Sequence, residues 1–150
     1  MEKISVIREK ILQNAAVHFP KMVQLRHEFH RFPELSGQEK ETARRICKVL
    51  DALEIPYQKE MAGYGIVAHL VGEKCESSRV IAFRADMDAL PIQEDNHFDY
   101  HSINEKVMHA CGHDFHIATL LGTLMILHAM KSEWSGCVKA IFQPSEEEYS

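Results

Sequence analysis

The sequence predicts an α/β fold, a three-layer sandwich with a mixed and mostly buried sheet. Three observations carry this. Apolar residues recur at helical spacing through the first fifty positions. From Tyr64 onward the chain turns to short apolar runs bounded by Gly and Ser. In the second half those runs alternate with one long apolar helix, the pattern of a sheet covered by helices.

Each element has its own signal. Ile4, Ile7, Ile11, Leu12 and Ala15 make the stripe of a first helix over residues 3 to 18, which Pro20 should break or restart. A second helical piece carries Met22, Val23, Leu25 and Phe29, and Pro33 stops it. Ser36-Gly37-Gln38-Glu39 matches a capping box, in which serine caps a helix and glutamate reaches back to the serine N–H. That helix buries Ala43, Ile46, Cys47, Leu50 and Leu53 and ends before Pro56. Gly65 to Val71 reads as a strand and Gly72-Glu73-Lys74 as a turn. Val80 to Phe83 is a continuous apolar run, expected of a strand buried on both faces. Residues 114 to 130 form the long apolar helix, and Val138 to Phe142 another inner strand.

Composition narrows the function. The formal net charge of -5 and the lack of any basic stripe argue against a nucleic-acid partner. No apolar run approaches the ~20 residues that cross a bilayer, and no signal peptide is evident, so a cytoplasmic location without a membrane partner is expected. The four cysteines have no disulfide-framework spacing and read as reduced thiols.

Two apolar runs share one design: each stops in acidic residues. Val80 to Phe83 leads to Asp86 and Asp88, and Val138 to Phe142 leads to Glu146 and Glu147. Ligands of open α/β sheets bind beyond the carboxyl ends of strands, so parallel neighbouring strands would bring four carboxylates to one crevice. Between them lies Cys111-Gly112-His113, where glycine lets the backbone bend until thiol and imidazole face one centre. Thiolate, imidazole and carboxylate together are the ligand set of a borderline ion such as zinc. Adjacent Glu146 and Glu147 point in different directions, so one can bind metal while the other takes a proton from water. His109 and His116 could orient a ligand or contact substrate, whereas His27 and His30 sit among Arg26, Glu28 and Arg31 on what reads as a solvated face. A different chemistry, with Cys111 as a nucleophile activated by His113, leaves the glutamate pair without a task.

The segment Met108-His-Ala-Cys-Gly-His-Asp-Phe-His-Ile-Ala is preceded by Phe83-Arg-Ala-Asp-Met-Asp-Ala-Leu-Pro-Ile and followed by Phe142-Gln-Pro-Ser-Glu-Glu. With Leu25-Arg-His-Glu-Phe-His-Arg-Phe-Pro-Glu-Leu-Ser and Gln38-Glu-Lys-Glu-Thr-Ala, these motifs resemble the M20 metallopeptidase family. The match, over about residues 20 to 147, is to its N-acyl-amino-acid amidohydrolase branch, which includes hippurate and auxin-conjugate hydrolases. The resemblance implies a zinc-exopeptidase-like catalytic domain. It implies Cys111, His113 and Glu147 as metal ligands, Glu146 as the general base, Asp88 as a carboxylate that orients a metal-site group, and Asp86, where other branches place a ligand histidine, as a further supporting carboxylate. It also implies two divalent ions (zinc, manganese, cobalt or nickel) and a small N-acyl amino acid as substrate. Family members are longer, with a lid or dimerisation domain and a return segment that carry further ligand histidines. Residues 1–150 therefore read as the N-terminal part of such a domain, able to hold one ion at most. The alternative is an inactive remnant that folds partly, and a homo-oligomer would need the family's dimerisation domain.

Overall fold

The computed structural model describes residues 2–148. The elements run α1 (Glu2–Arg31), α2 (Lys40–Ala52), β1 (Tyr57–Met61), β2 (Gly65–Val71), β3 (Val80–Asp86), α3 (His113–Ala129), a 3-10 turn (Lys131–Glu133) and β4 (Cys137–Gln143). The α/β class and the mixed sheet are as expected. The strand order is β1-β2-β4-β3, with β3 parallel to β4 and the other pairs antiparallel.

Period-two alternation builds one apolar face. Ile66, Ala68 and Leu70 are buried on β2, as are Val138, Ala140 and Phe142 on β4. The register sets Ile66 against Phe142, Ala68 against Ala140 and Leu70 against Val138, so these side chains form one surface. Leu25 and Phe29 of α1, Ile46 and Leu50 of α2, and Ile117, Leu121 and Leu124 of α3 close over it in a single cluster. Each such side chain contributes about 1.5–3 kcal/mol by leaving water. Helices α1 and α3 touch closely at Gly122, where a Cβ would collide with the Met22 side chain.

Four features depart from the sequence reading, each for a physical reason. Pro20 does not break the first helix; α1 is continuous with Pro20 inside it. The carbonyl that proline deprives of a partner is that of Ala16, on an exposed stretch where solvent can reach it. Strand β3 is not buried on both faces: Val80, Ile81 and Phe83 are 59%, 57% and 43% exposed. It lies at the edge of the sheet, and only Ala85 and Asp86 at its end are buried. Polar Tyr57–Met61 forms β1, which the sequence reading does not contain, because β2 offers it a free edge. The capping box does not form: Glu39 precedes α2 without a side-chain cap. Glu34 does that work, accepting the Thr42 N–H at 2.6 Å, the Thr42 hydroxyl at 2.8 Å and the Glu41 N–H at 3.1 Å.

The long connection between β3 and α3 is folded back on itself. Leu90 and Met108 exchange both backbone hydrogen bonds at 3.0 Å, and the Ala89 N–H is donated to the Glu34 carbonyl at 2.8 Å. The segment after Met108 thus returns to the end of β3. Among the described residues no helix is long and apolar enough to cross a membrane.

Candidate metal centre

Parallel pairing puts Asp86 opposite Gln143, so both acidic strand ends emerge at one edge. Gly112 turns the returning loop into α3 with φ +84°, a left-handed conformation that glycine adopts freely. Three chain segments therefore meet: 86–88, 111–113 and 145–147.

His113 is fully buried and oriented by its neighbour. Its Nδ1–H is donated to the Asp88 backbone carbonyl at 2.9 Å, which leaves Nε2 as the free nitrogen. His113 Nε2 lies 3.7 Å from Glu147 Oε1 and 3.8 Å from Glu146 Oε2. Cys111, His113 and Glu147 each offer one atom, all within 4.8 Å of one another. Ligands at zinc bonding distances of 2.0–2.3 Å stand about 3.3–3.8 Å apart in a tetrahedron, within reach of small rotations of these side chains. Glu147 Oε1 is buried without a hydrogen-bond donor, an orphaned acceptor suited to a cation. The residues fit a divalent ion.

Electrostatics point the same way. The Glu147 carboxylate beside the Cys111 thiol, then burial and the charges of Glu146 and Asp86, push that thiol's pKa up. An anionic setting is the opposite of what activates a thiol nucleophile, which weighs against cysteine catalysis. A cation at the centre reverses the sign.

The supporting carboxylates differ. Asp88 Oδ2 accepts the Ser36 hydroxyl at 2.7 Å and the Glu147 N–H at 2.9 Å. Burial alone would raise the Asp88 pKa; these donors hold it below the usual carboxylate value instead. Asp88 thus grips His113 through its carbonyl and Glu147 through its side chain. Asp86 faces the other way, with Oδ2 3.4 Å from His116 Nδ1 and Arg84 Nε 3.0 Å from Oδ1. The general-base candidate Glu146 stands at the open side, with the Arg84 guanidinium 3.8 Å away. Ser145, whose φ of +51° is unusual for a side-chain-bearing residue, turns the chain into the glutamate pair. Its N–H is donated to the buried Glu39 Oε1 at 2.7 Å. Ser36 and Glu39, read from sequence as a helix cap, are struts of the site.

His109 belongs to neither cluster of possible ligands. Burial pushes its pKa down to about 4, and both ring nitrogens are buried without partners, so it sits as a neutral ring.

The network beneath the site is absent from the sequence reading. His30 is not on a solvated face; it is 2% exposed. Its Nδ1 lies 2.7 Å from Asp114 Oδ2 and its Nε2 3.0 Å from Glu94 Oε1, while Arg26 Nε lies 2.9 Å from the same Asp114 oxygen. The Asp114 carboxylate, aided by Glu94, raises the His30 pKa against the effect of burial. Burial would push both acids up, yet His30 brings each below its ordinary value. Helix α1, the folded-back loop and the first turn of α3 are thereby tied together one residue from His113. The only sequence signal is the presence of His, Asp and Glu, with partners 64 and 84 positions away.

Comparison with known proteins agrees with this geometry. The N-acetylcysteine deacetylase of Bacillus subtilis is 42% identical over 132 residues, covering 85% of this chain and 33% of that protein. The IAA-amino acid hydrolase ILR1-like 2 of Arabidopsis thaliana is 40% identical over 149 residues, covering 97% of this chain and 33% of that protein. Among solved structures, the Bacillus subtilis YxeP protein, described as a dinuclear metal-binding peptidase from the M20 family, superposes with a TM-score of 0.81. It is 41% identical, and the match covers 88% of this chain and 37% of that one. The chain thus spans about a third of the length of these relatives. Residues 82–150 match the peptidase family M20/M25/M40. Over that segment the chain is similar to members of that family.

Proposed function

We propose that this chain carries the first part of the site of a metal-dependent amidohydrolase that cleaves N-acyl amino acids. The observation that carries the reading is the convergence of Cys111, His113 and Glu147 within 4.8 Å, with Glu146 beside them, 3.8 Å from His113 Nε2. Names of relatives, N-acetylcysteine deacetylase and IAA-amino acid hydrolase, supply the substrate class. Cys111, His113 and Glu147 hold the ion, which when bound supplies Lewis acidity toward the scissile carbonyl and toward water. Glu146 takes a proton from the attacking water and delivers it to the leaving nitrogen, giving a carboxylic acid and a free amino acid. Asp88 fixes the His113 ring and the Glu147 backbone, so neither ligand has to be ordered when the ion arrives.

A second reading follows from the donor count. One thiol, one imidazole nitrogen and one carboxylate suit a single ion, so residues 1–150 alone bind one ion and turn over little.

The test is hydrolysis of N-acetyl and N-benzoyl amino acids by the chain with Mn²⁺, Co²⁺ or Zn²⁺, beside metal content after dialysis. The expected result is one tightly bound Zn²⁺ and weak, EDTA-sensitive release of amino acid, which Glu146→Gln lowers by ~10²-fold or more. EDTA-insensitive hydrolysis stopped only by thiol alkylation would overturn the metal reading. Hydrolysis at ordinary enzymatic rates would overturn the second.

A further inference from the structure

We propose that Asp86 and His116 form, with His113, a second seat for a divalent cation, which competes with the Cys111–Glu147 seat for the same imidazole nitrogen. The inference rests on the reading of Cys111, His113 and Glu147 as the first seat.

Asp86, His113 and His116 each bring one ligand atom within 4.8 Å of the others. His116 follows His113 by three residues, on the same side of the first turn of α3, and the two rings stack with centroids 5.2 Å apart. His116 Nδ1 lies 3.4 Å from Asp86 Oδ2. Asp86 Oδ1 is buried, and although Arg84 Nε is 3.0 Å away, no hydrogen bond reaches that oxygen. The Arg84 side chain is more than half exposed, so it can swing out when a cation takes its place.

Exclusivity follows from the ring. His113 Nδ1 carries the proton given to Asp88, so Nε2 alone can ligate, and its single lone pair serves one ion at a time. The two seats differ in softness. Cys111 and Glu147 add sulfur and oxygen to the shared nitrogen; His116 and Asp86 add nitrogen and oxygen. Thiolate favours soft ions such as Cd²⁺ and Zn²⁺, whereas a harder ion such as Mn²⁺ gains little from sulfur. The identity of the ion therefore selects the seat. An Mn²⁺ ion on Asp86 and His116 is displaced from the thiol and from Glu147.

The experiment is equilibrium dialysis of the chain against Mn²⁺ alone and Cd²⁺ alone, with Cys111→Ser, His116→Ala and the double variant. Expected for Cys111→Ser is loss of the ultraviolet thiolate–cadmium band and a Cd²⁺ affinity lower by ~10-fold or more, with Mn²⁺ affinity changed less than about 3-fold. His116→Ala does the reverse, the double variant loses both, and Cd²⁺ displaces Mn²⁺ one for one from the unaltered chain. His116 is half exposed, so its removal leaves the fold intact, and Asp86→Asn gives a second variant expected to act as His116→Ala does. Unchanged Mn²⁺ affinity in His116→Ala, equal weakening of both ions in Cys111→Ser, no Mn²⁺ binding by the unaltered chain, or independent binding of both ions would each overturn the proposal. Absence of the cadmium–thiolate band in the unaltered chain would instead overturn the reading on which it rests.

Discussion

The backbone N–H of Glu147 is hydrogen-bonded to Asp88 Oδ2 at 2.9 Å, which fastens the candidate ligand after β4 to the carboxylate after β3. Ser36 donates to the same oxygen at 2.7 Å. Asp88→Ala would leave that N–H and the Ser36 hydroxyl unpaired, at a cost of about 1–3 kcal/mol. Zn²⁺ affinity should fall by ~10–100-fold, the usual effect of losing a group that orients ligands. Asp88→Asn keeps an acceptor oxygen and should lose less of both. Urea midpoints and Zn²⁺ titrations of the two variants check this; equal affinities for Ala, Asn and Asp would refute it.

His30 gives the molecule a pH-dependent clasp. Asp114 and Glu94 raise its folded pKa above the ordinary 6.5. A group raised on folding contributes stability fully present below its unfolded pKa and lost as pH rises through the folded value. Unfolding free energy should therefore decline above pH ~6.5 until His30 is neutral in the fold. In His30→Gln the same decline should be absent, although the variant is less stable at pH 6. Urea unfolding at several pH values measures both curves, and parallel curves would mean that folding leaves the His30 pKa unshifted.

Glu39 holds a strained turn. Ser145 sits at φ +51° with its N–H on the buried Glu39 Oε1 at 2.7 Å. Glu39→Ala should cost about 1–3 kcal/mol, because a buried N–H loses its acceptor. Ser145→Gly should stay within about 0.5 kcal/mol of the unaltered chain. Relief of about 1 kcal/mol of left-handed strain is offset by the ~0.4–1 kcal/mol that glycine gives the unfolded state. Thermal unfolding of the two variants distinguishes a held turn from a relaxed one.

Two glycines make opposite predictions. A Cβ at Gly112 meets nothing within 4 Å, so Gly112→Ala should cost only the left-handed backbone penalty of about 1 kcal/mol. A Cβ at Gly122 strikes the Met22 side chain, so about 1–3 kcal/mol of overpacking is set against the ~0.5–1 kcal/mol that alanine gains inside a helix, a net cost of about 0–2.5 kcal/mol for Gly122→Ala. Met22→Ala added to Gly122→Ala should cost less than the two effects summed, with a coupling of about 0.5–3 kcal/mol. Additive costs would show that α1 and α3 give way elsewhere.

The sequence made legible what is local. Cys111, Gly112 and His113 lie three in a row, and Asp86, Asp88, Glu146 and Glu147 each end an apolar run, so their meeting needed only parallel strands. Groups whose partners lie far along the chain were illegible. His30 stands among charged neighbours and is buried only because Asp114 and Glu94 reach it from two other segments. Ser36 and Glu39 have the spacing of a capping box, yet Asp88 and Ser145 claim their side chains. The apolar run of β3 does not tell a central strand from an edge, since burial there depends on neighbours the run does not contain.

Strand β4 lies between β2 and β3, which are not paired with each other, and it follows both in the chain. A ribosome thus releases Cys111 and His113 while the sheet still has a gap at its centre. Glu146 and Glu147 emerge directly behind the strand that fills that gap. On the proposed reading, an ion held by all three donors would be a certificate of assembly, issued only to a chain whose sheet has already closed.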